Sequence, residues 1–163
     1  MVKQLSEPAN AIAVLLKQRG ETVSVAESST GGLISAALLA VPGASAYFMG
    51  GSVIYTKTAR AALLGIDIAN YPGLRPSTEA YARVVSETMR DRLQTTWCLS
   101  ETGATGPSGN RYGDKAGHSC IAVAGPVGQS ATLETGKAER EENMWLFAAY
   151  ALEALLKAIR SVN

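Results

Sequence analysis

At 163 residues, the chain is long enough to bury its own core, and 47% hydrophobic with 18% charged residues is ordinary for a soluble globular domain. A net charge of +1, scattered basic residues and only 6% aromatics leave no electrostatic case for a nucleic-acid or anionic-membrane surface, nor a stacking platform for single strands. No apolar run reaches the roughly 18 residues of a membrane span, and Met1 to Pro8 contain no apolar signal segment, so a cytoplasmic location is expected.

In chain order, Ser6 with Pro8 soon after reads as a helix start; Ile12, Leu15 and Leu16 form its buried stripe, and Gly20 stops it. A strand follows over about 22–26. Thr30 to Val41 is a helix apolar nearly all round, hence central or packed against a second subunit; a homodimer or higher homo-oligomer through it is expected. Pro42-Gly43 ends it. Tyr47 to Tyr55 reads as a strand with Gly50-Gly51 marking a bulge or close approach, and a short helix over about 57–64 ends at Gly65. After the loop Asn70 to Pro76, Ser77 opens a helix in which Tyr81, Val84, Val85, Thr88 and Met89 recur at helical spacing. Thr95 to Ser100 is a further strand, Thr102 to Asp114 a long glycine-rich loop, and His118–Ala124 with Ala131–Thr135 a strand pair. The last helix, about 139–160, is expected to bury Met144, Ala148, Ala151, Leu152, Leu155 and Ile159. Strands alternating with helices predict an α/β fold: a three-layer α/β/α single domain over 1–163 with a mixed sheet.

Cys98 and Cys120 lie in apolar, strand-like stretches, and two buried free thiols are expected. With His118 the only histidine and no cluster of Cys, His and acids, neither a metal site nor a Ser-His-Asp triad is favoured.

The chemistry concentrates at Glu27-Ser28-Ser29-Thr30-Gly31-Gly32, where a strand stops and feeds a helix. Two readings stand: the hydroxyls cap the helix while the glycines ease the turn, or a hydroxyl uses the unpaired N–H groups there as donors to an oxyanion or phosphate. Segments 27–32, 55–60 and 102–114 each follow a strand, and strand ends converge on one crevice in such sheets. The candidate site is therefore Glu27, Ser28, Ser29 and Thr30, then Tyr55, Thr56 and Lys57, then Thr102, Thr105 and the loop glycines. Loop 102–114 fits neither common phosphate pattern, so a surface turn is an equal reading. A serine without histidine needs another base, and Lys57 is the lysine near the crevice, with Tyr55 the nearest phenol. Arg60 stays charged and serves instead to orient a phosphate or carboxylate. A solvated helix face is the alternative for both cations.

These residues bring a family into view. Ala26-Glu27-Ser28-Ser29-Thr30-Gly31-Gly32 matches six of seven positions of the A-E-S-C-T-G-G signature of the CinA C-terminal domain, the nicotinamide-nucleotide amidohydrolases. Pro42-Gly43-Ala44-Ser45, Phe48, Gly51, Val53 and Tyr55 resemble the family's next stretch. Ala59-Arg60, Leu64-Gly65-Ile66, then Gly103-Ala104-Thr105-Gly106-Pro107, and Glu139-Arg140 before the last helix continue it in collinear order over about 7–160. The resemblance implies deamidation of nicotinamide mononucleotide to nicotinate mononucleotide and ammonia, with no metal or cofactor. It implies Ser28 as nucleophile; Lys57 and Tyr55 stand beside it as catalytic candidates from the reading of the crevice, and Tyr55 and Thr102 align with residues lining the family's nucleotide site. Substrate contacts are implied from Glu27, Ser29, Thr30, Gly31, Gly32, Arg60, Thr102, Gly103, Thr105, Gly106 and Arg140. The implied oxyanion donors are the helix N-terminal amides near Thr30 to Gly32. Two positions depart from the family: its cysteine is Ser29, and its lysine after the tyrosine is Arg60, with Lys57 where asparagine is typical. Over 108–118 the family's E-K-P-V-G stretch is also missing.

Overall fold

The computed structural model describes residues 2–162. The elements are α1 (Val2–Arg19), β1 (Val23–Glu27), α2 (Leu33–Leu39), β2 (Phe48–Val53), α3 (Lys57–Leu64), α4 (Glu79–Leu93), β3 (Trp97–Ala104), β4 (His118–Ala124), β5 (Gln129–Glu134) and α5 (Arg140–Arg160), with short 3-10 turns at Ala44–Ala46 and Ile68–Asn70. The sheet runs β2-β1-β3-β4-β5. Its first three strands are parallel, and β4 and β5 continue it antiparallel. The sheet is mixed, as expected.

Each face of the sheet carries its own core. Val23, Val25, Leu99, Ile121 and Val123 meet α1, α2 and α5 through Ile12, Leu16, Ile34, Leu38, Leu152 and Leu155. On the opposite face Ala26, Ile54 and Cys98 meet α3 and α4 through Leu64, Tyr81, Val85 and Met89. Both β1 and β4 are buried along their whole length; β4 accordingly reads as an apolar run from Cys120 to Ala124, whereas β1, Val-Ser-Val-Ala-Glu, keeps polar residues that are hydrogen-bonded inside.

Several element boundaries differ from expectation. Helix α1 starts at Val2, not Ser6, and holds Pro8 in its interior. The lost N–H bond there is offset by burial of Leu5 and Ala9 in the core. Helix α2 starts at Leu33, not Thr30, because residues 28–32 form turns ahead of it. Ile34 and Leu38 of α2 pack beneath α1 and α5, while Ala36, Leu39 and Ala40 are exposed. Strand β3 extends to Ala104, so Thr102 and Gly103 are strand residues rather than loop. Helix α4 starts at Glu79 with the Thr78 hydroxyl accepting from Tyr81 N–H, leaving Ser77 outside at φ 59°. In α5 the expected Met144 is half-buried, and its neighbour Asn143 is buried instead. The bulge in β2 is present: Val23 pairs with Phe48 and Ser24 with Gly50, skipping Met49. Both cysteines are buried and unbridged. No helix among the described residues is long and apolar enough to cross a membrane.

Candidate functional site

Parallel β1, β2 and β3 end on the same side of the sheet, which places the segments after them together. A cavity of about 340 Å³ opens there, lined by Ser28, the stretch Ile54 to Lys57, Arg60, Ser77, Tyr81, Thr102, Gly103 and Asn110 to Tyr112. Beside it a second hollow of about 240 Å³ shares Tyr55, Gly103 and Asn110 and adds Ser29, Thr105, Gly106 and Arg140. A larger cleft of about 700 Å³ lies between α4 and the β4–β5 turn and contains none of the predicted residues.

The strand-to-helix turn after β1 is held by two buried carboxylates. Glu27, fully buried, accepts from the N–H groups of Gly32, Ile34 and Ser35 and from the Thr30 hydroxyl. It is an acceptor for the start of α2, not a side chain open to a ligand. Glu101, also buried, accepts from Ser28 N–H, Thr30 N–H and the Ser29 and Thr30 hydroxyls. Burial raises its pKa, partly countered by those donors. Gly31 N–H bonds Ser28 O and Leu33 N–H bonds Thr30 O, whereas Ser29 N–H has no hydrogen-bond partner among the described residues. The expected oxyanion donors near Thr30 to Gly32 are therefore already occupied, and Ser29 and Thr30 hold the turn. At Gly32 φ is 102°, which demands glycine at the entry to α2.

Ser28 is the exception in this run. Its side chain is half-buried, faces the cavity and has no hydrogen-bond partner among the described residues. Tyr55, 58% exposed, stands across the mouth and accepts from Arg140 Nη2 at 3.1 Å. Arg140 Nη1 also donates to Gly106 O at 2.9 Å, tying α5 to the glycine loop and to the end of β2. Lys57 is exposed at the first turn of α3 and lines the cavity without contacting Ser28. Arg60 is not on a solvated face. It is 7% exposed, with its guanidinium 5.8 Å from the Tyr81 ring centroid. Thr102 lies on the floor, its hydroxyl accepting from Ser77 N–H.

Three residues that shape the site escaped sequence reasoning. Glu101 gave one signal, an acidic residue inside an apolar strand. Asn143, fully buried, donates to Thr105 O and Lys137 O and accepts from the Thr135 hydroxyl, pinning both ends of the crevice wall. His118 was excluded as a triad member, yet it bonds Glu134 through Nδ1 and Ser77 O through Nε2.

A mixed five-stranded sheet covered on both faces, with a hydroxyl-rich β1–α2 turn opening on a cationic crevice, defines an α/β domain with a crevice at its strand ends. The profile of the CinA C-terminal domain matches residues 5–159, and the chain belongs to that family. A CinA-like protein of Prochlorococcus marinus (strain MIT 9313) is 43% identical over 126 residues, 76% of this chain and 29% of that protein. One from Synechocystis sp. (strain ATCC 27184 / PCC 6803 / Kazusa) is 36% identical over 158 residues, 94% of this chain and 38% of that protein. The chain thus spans well under half the length of these curated relatives. Among solved structures, the competence damage-inducible protein A of Klebsiella pneumoniae superposes with a TM-score of 0.90 at 23% identity, covering 98% of this chain and 99% of that one. The competence/damage inducible protein of Agrobacterium tumefaciens gives 0.83 at 27%, covering 96% of each.

Proposed function

We propose that the chain hydrolyses the carboxamide of nicotinamide mononucleotide to nicotinate mononucleotide and ammonia. The observation that carries this reading is the free Ser28 hydroxyl, facing a cavity of ligand size beside the one lysine that lines it. Lys57, as its neutral amine, takes the Ser28 proton while Oγ attacks the carboxamide carbon. The C–N bond then breaks with the proton passing to the leaving nitrogen, and water releases the carboxylate from the acyl-serine. Arg60 cannot be the base, because a guanidinium stays charged at working pH. The Arg140–Tyr55 pair and the glycine loop at 103–106 then border the nucleotide's remaining groups.

A second reading, nucleotide binding without turnover, is favoured by one observation: the amides of Thr30 to Gly32, the implied oxyanion donors, are filled by Glu101, the Ser28 carbonyl and Glu27. Ammonia release from nicotinamide mononucleotide by the purified protein separates the two. Turnover is expected, reduced by a factor of about 10³ or more in Ser28→Ala and about 10² or more in Lys57→Ala. Turnover unmoved by Ser28→Ala would exclude the serine route, and binding without turnover would establish the second reading.

A further inference from the structure

The two edges of the sheet differ. A free edge offers unpaired N–H and C=O groups to any strand that can align with it. Strand β2 is interrupted at Met49, which the pairing with β1 skips, and a bulge of this kind twists an edge away from further pairing. Strand β5, Gln-Ser-Ala-Thr-Leu-Glu, pairs with β4 in unbroken register and holds no proline, lysine or glycine. Just beyond the ladder, Thr135 N–H donates to Gly117 O, and that bond fixes the alternation along the strand. Gln129, Ala131 and Leu133 turn their backbone groups to β4, so Ser130, Thr132 and Glu134 turn theirs outwards. Six residues at about 3.4 Å each make this a straight, unblunted edge roughly 20 Å long.

The helices leave room on both faces of that edge. A hollow of about 390 Å³ lies between β5 and α5, lined by Ala131, Tyr150, Glu153 and Lys157 among others. On the opposite face the cleft of about 700 Å³ lies beside α4, where Arg83 and Glu87 border it. Neither space shares a residue with the hollows at the strand ends. Glu153 and Lys157 stand one turn apart on α5, as Arg83 and Glu87 do on α4, and all four are exposed. Glu87, Glu153 and Lys157 have no ion-pair partner among the described residues. Opposite charges one turn apart on a helix are self-complementary when a second copy of that helix approaches antiparallel.

We infer that β5 is the seam of a symmetric homodimer, in which the β5 strands of two copies pair antiparallel and join two five-stranded sheets into one. A two-fold axis normal to the sheet at Ala131 keeps α5 beside α5 and α4 beside α4. It sets Glu153 against Lys157 of the partner subunit and Arg83 against Glu87 of the partner subunit. In that register Ser130 lies opposite Thr132 of the partner subunit, so the outward-turned backbone groups meet one another. Gln129 lies opposite Leu133 of the partner subunit, and no like charges are opposed along the seam. The contact is thus on β5 and not on α2, and it holds whether or not Ser28 is a nucleophile.

Sedimentation equilibrium of the purified protein tests it. A mass of twice 17.0 kDa is expected at a protein concentration of about 0.1 mM. Glu153→Lys and Lys157→Glu each oppose like charges across the axis and are expected to weaken dimerisation about tenfold, while the double swap restores it. Both side chains are exposed and unpaired within the chain, so neither swap puts the fold at risk. Amide hydrogen exchange gives the second readout. The Ser130, Thr132 and Glu134 N–H groups are expected to be protected in the dimer and to exchange freely once it is diluted below its Kd. A monomer at about 0.1 mM would overturn the seam, as would single swaps that leave the dimer unmoved or a double swap that fails to restore it. A dimer whose Ser130 and Thr132 amides stay unprotected, and which Leu39→Glu dissolves, would overturn it in favour of α2.

Discussion

At the scale of single residues, the turn after β1 is organised from inside. Glu27 and Glu101 together accept from seven donor groups of residues 28–35, and Thr30 Oγ1 lies 2.8 Å from one carboxyl and 2.9 Å from the other. One hydroxyl hydrogen serves one carboxylate at a time, so Thr30 Oγ1 donates to Glu27 or to Glu101 in turn, and burial pushes the Glu101 pKa up against the pull of its donors. Glu27→Ala would strand Gly32, Ile34 and Ser35 N–H groups without their acceptor. The expected loss is about 3 kcal/mol or more of unfolding free energy, read as a fall in the urea midpoint at unchanged slope. Glu27→Ala with native stability would show that the carboxylate is not holding α2. From sequence, Ser28, Ser29 and Thr30 were chemically equivalent hydroxyls at a helix start. Which of the three is free depends on Glu101, 71 to 73 positions away.

At the scale of elements, periodicity and turn residues located every helix and strand, and the errors lie at boundaries decided by distant packing. Strand β3 illustrates this. Gly103 reads as the beginning of a loop because a glycine following Thr102 weakens a strand pattern. In the sheet it pairs with Ser119 on β4, and close approach requires the missing side chain: a Cβ there would lie 2.5 Å from His118 O, 3.0 Å from Ser119 Cα and 3.2 Å from Phe147. Two of those neighbours are backbone and cannot swing away. Gly103→Ala is therefore expected to cost about 2 kcal/mol or more and to disturb the cavity floor, lowering Tm and, under the proposed function, affinity for nicotinamide mononucleotide. Calorimetry with a parallel titration checks it; loss of affinity at unchanged Tm would place Gly103 at a ligand rather than between strands.

At the scale of the whole molecule, the crevice was legible because three polar segments follow strands, and strand ends converge. Its walls were not, because they depend on ionic contacts between segments far apart in sequence. Arg75 binds Asp114, Asp114 lies 3.8 Å from His118, and His118 bonds Glu134 and Ser77 O. Both ring nitrogens thus face acceptors, an arrangement that favours the imidazolium over the neutral ring. Burial opposes that charge, but Glu134, the Ser77 carbonyl and Asp114 outweigh it and raise the pKa above 6.5. Asp114, held low chiefly by Arg75, stays ionised through the same range. A histidine whose folded pKa is raised contributes stability that is complete below its unfolded value and is lost as pH rises through the folded one. Asp114 has the opposite sense: its contribution is present above 3.8 and is lost only as pH falls through its depressed value. An alkaline loss beginning above 6.5 therefore belongs to His118. That loss bears on the cavity, since His118 holds Ser77 and Asp114 holds Asn110, and both Ser77 and Asn110 line it. Urea midpoints are expected to fall as pH rises above 6.5 in the native protein, with affinity for any ligand of the cavity falling in parallel. His118→Asn is expected to be less stable at the lower pH and flat across the range. A native profile as flat as that of the variant would mean that the imidazolium does not brace the crevice wall.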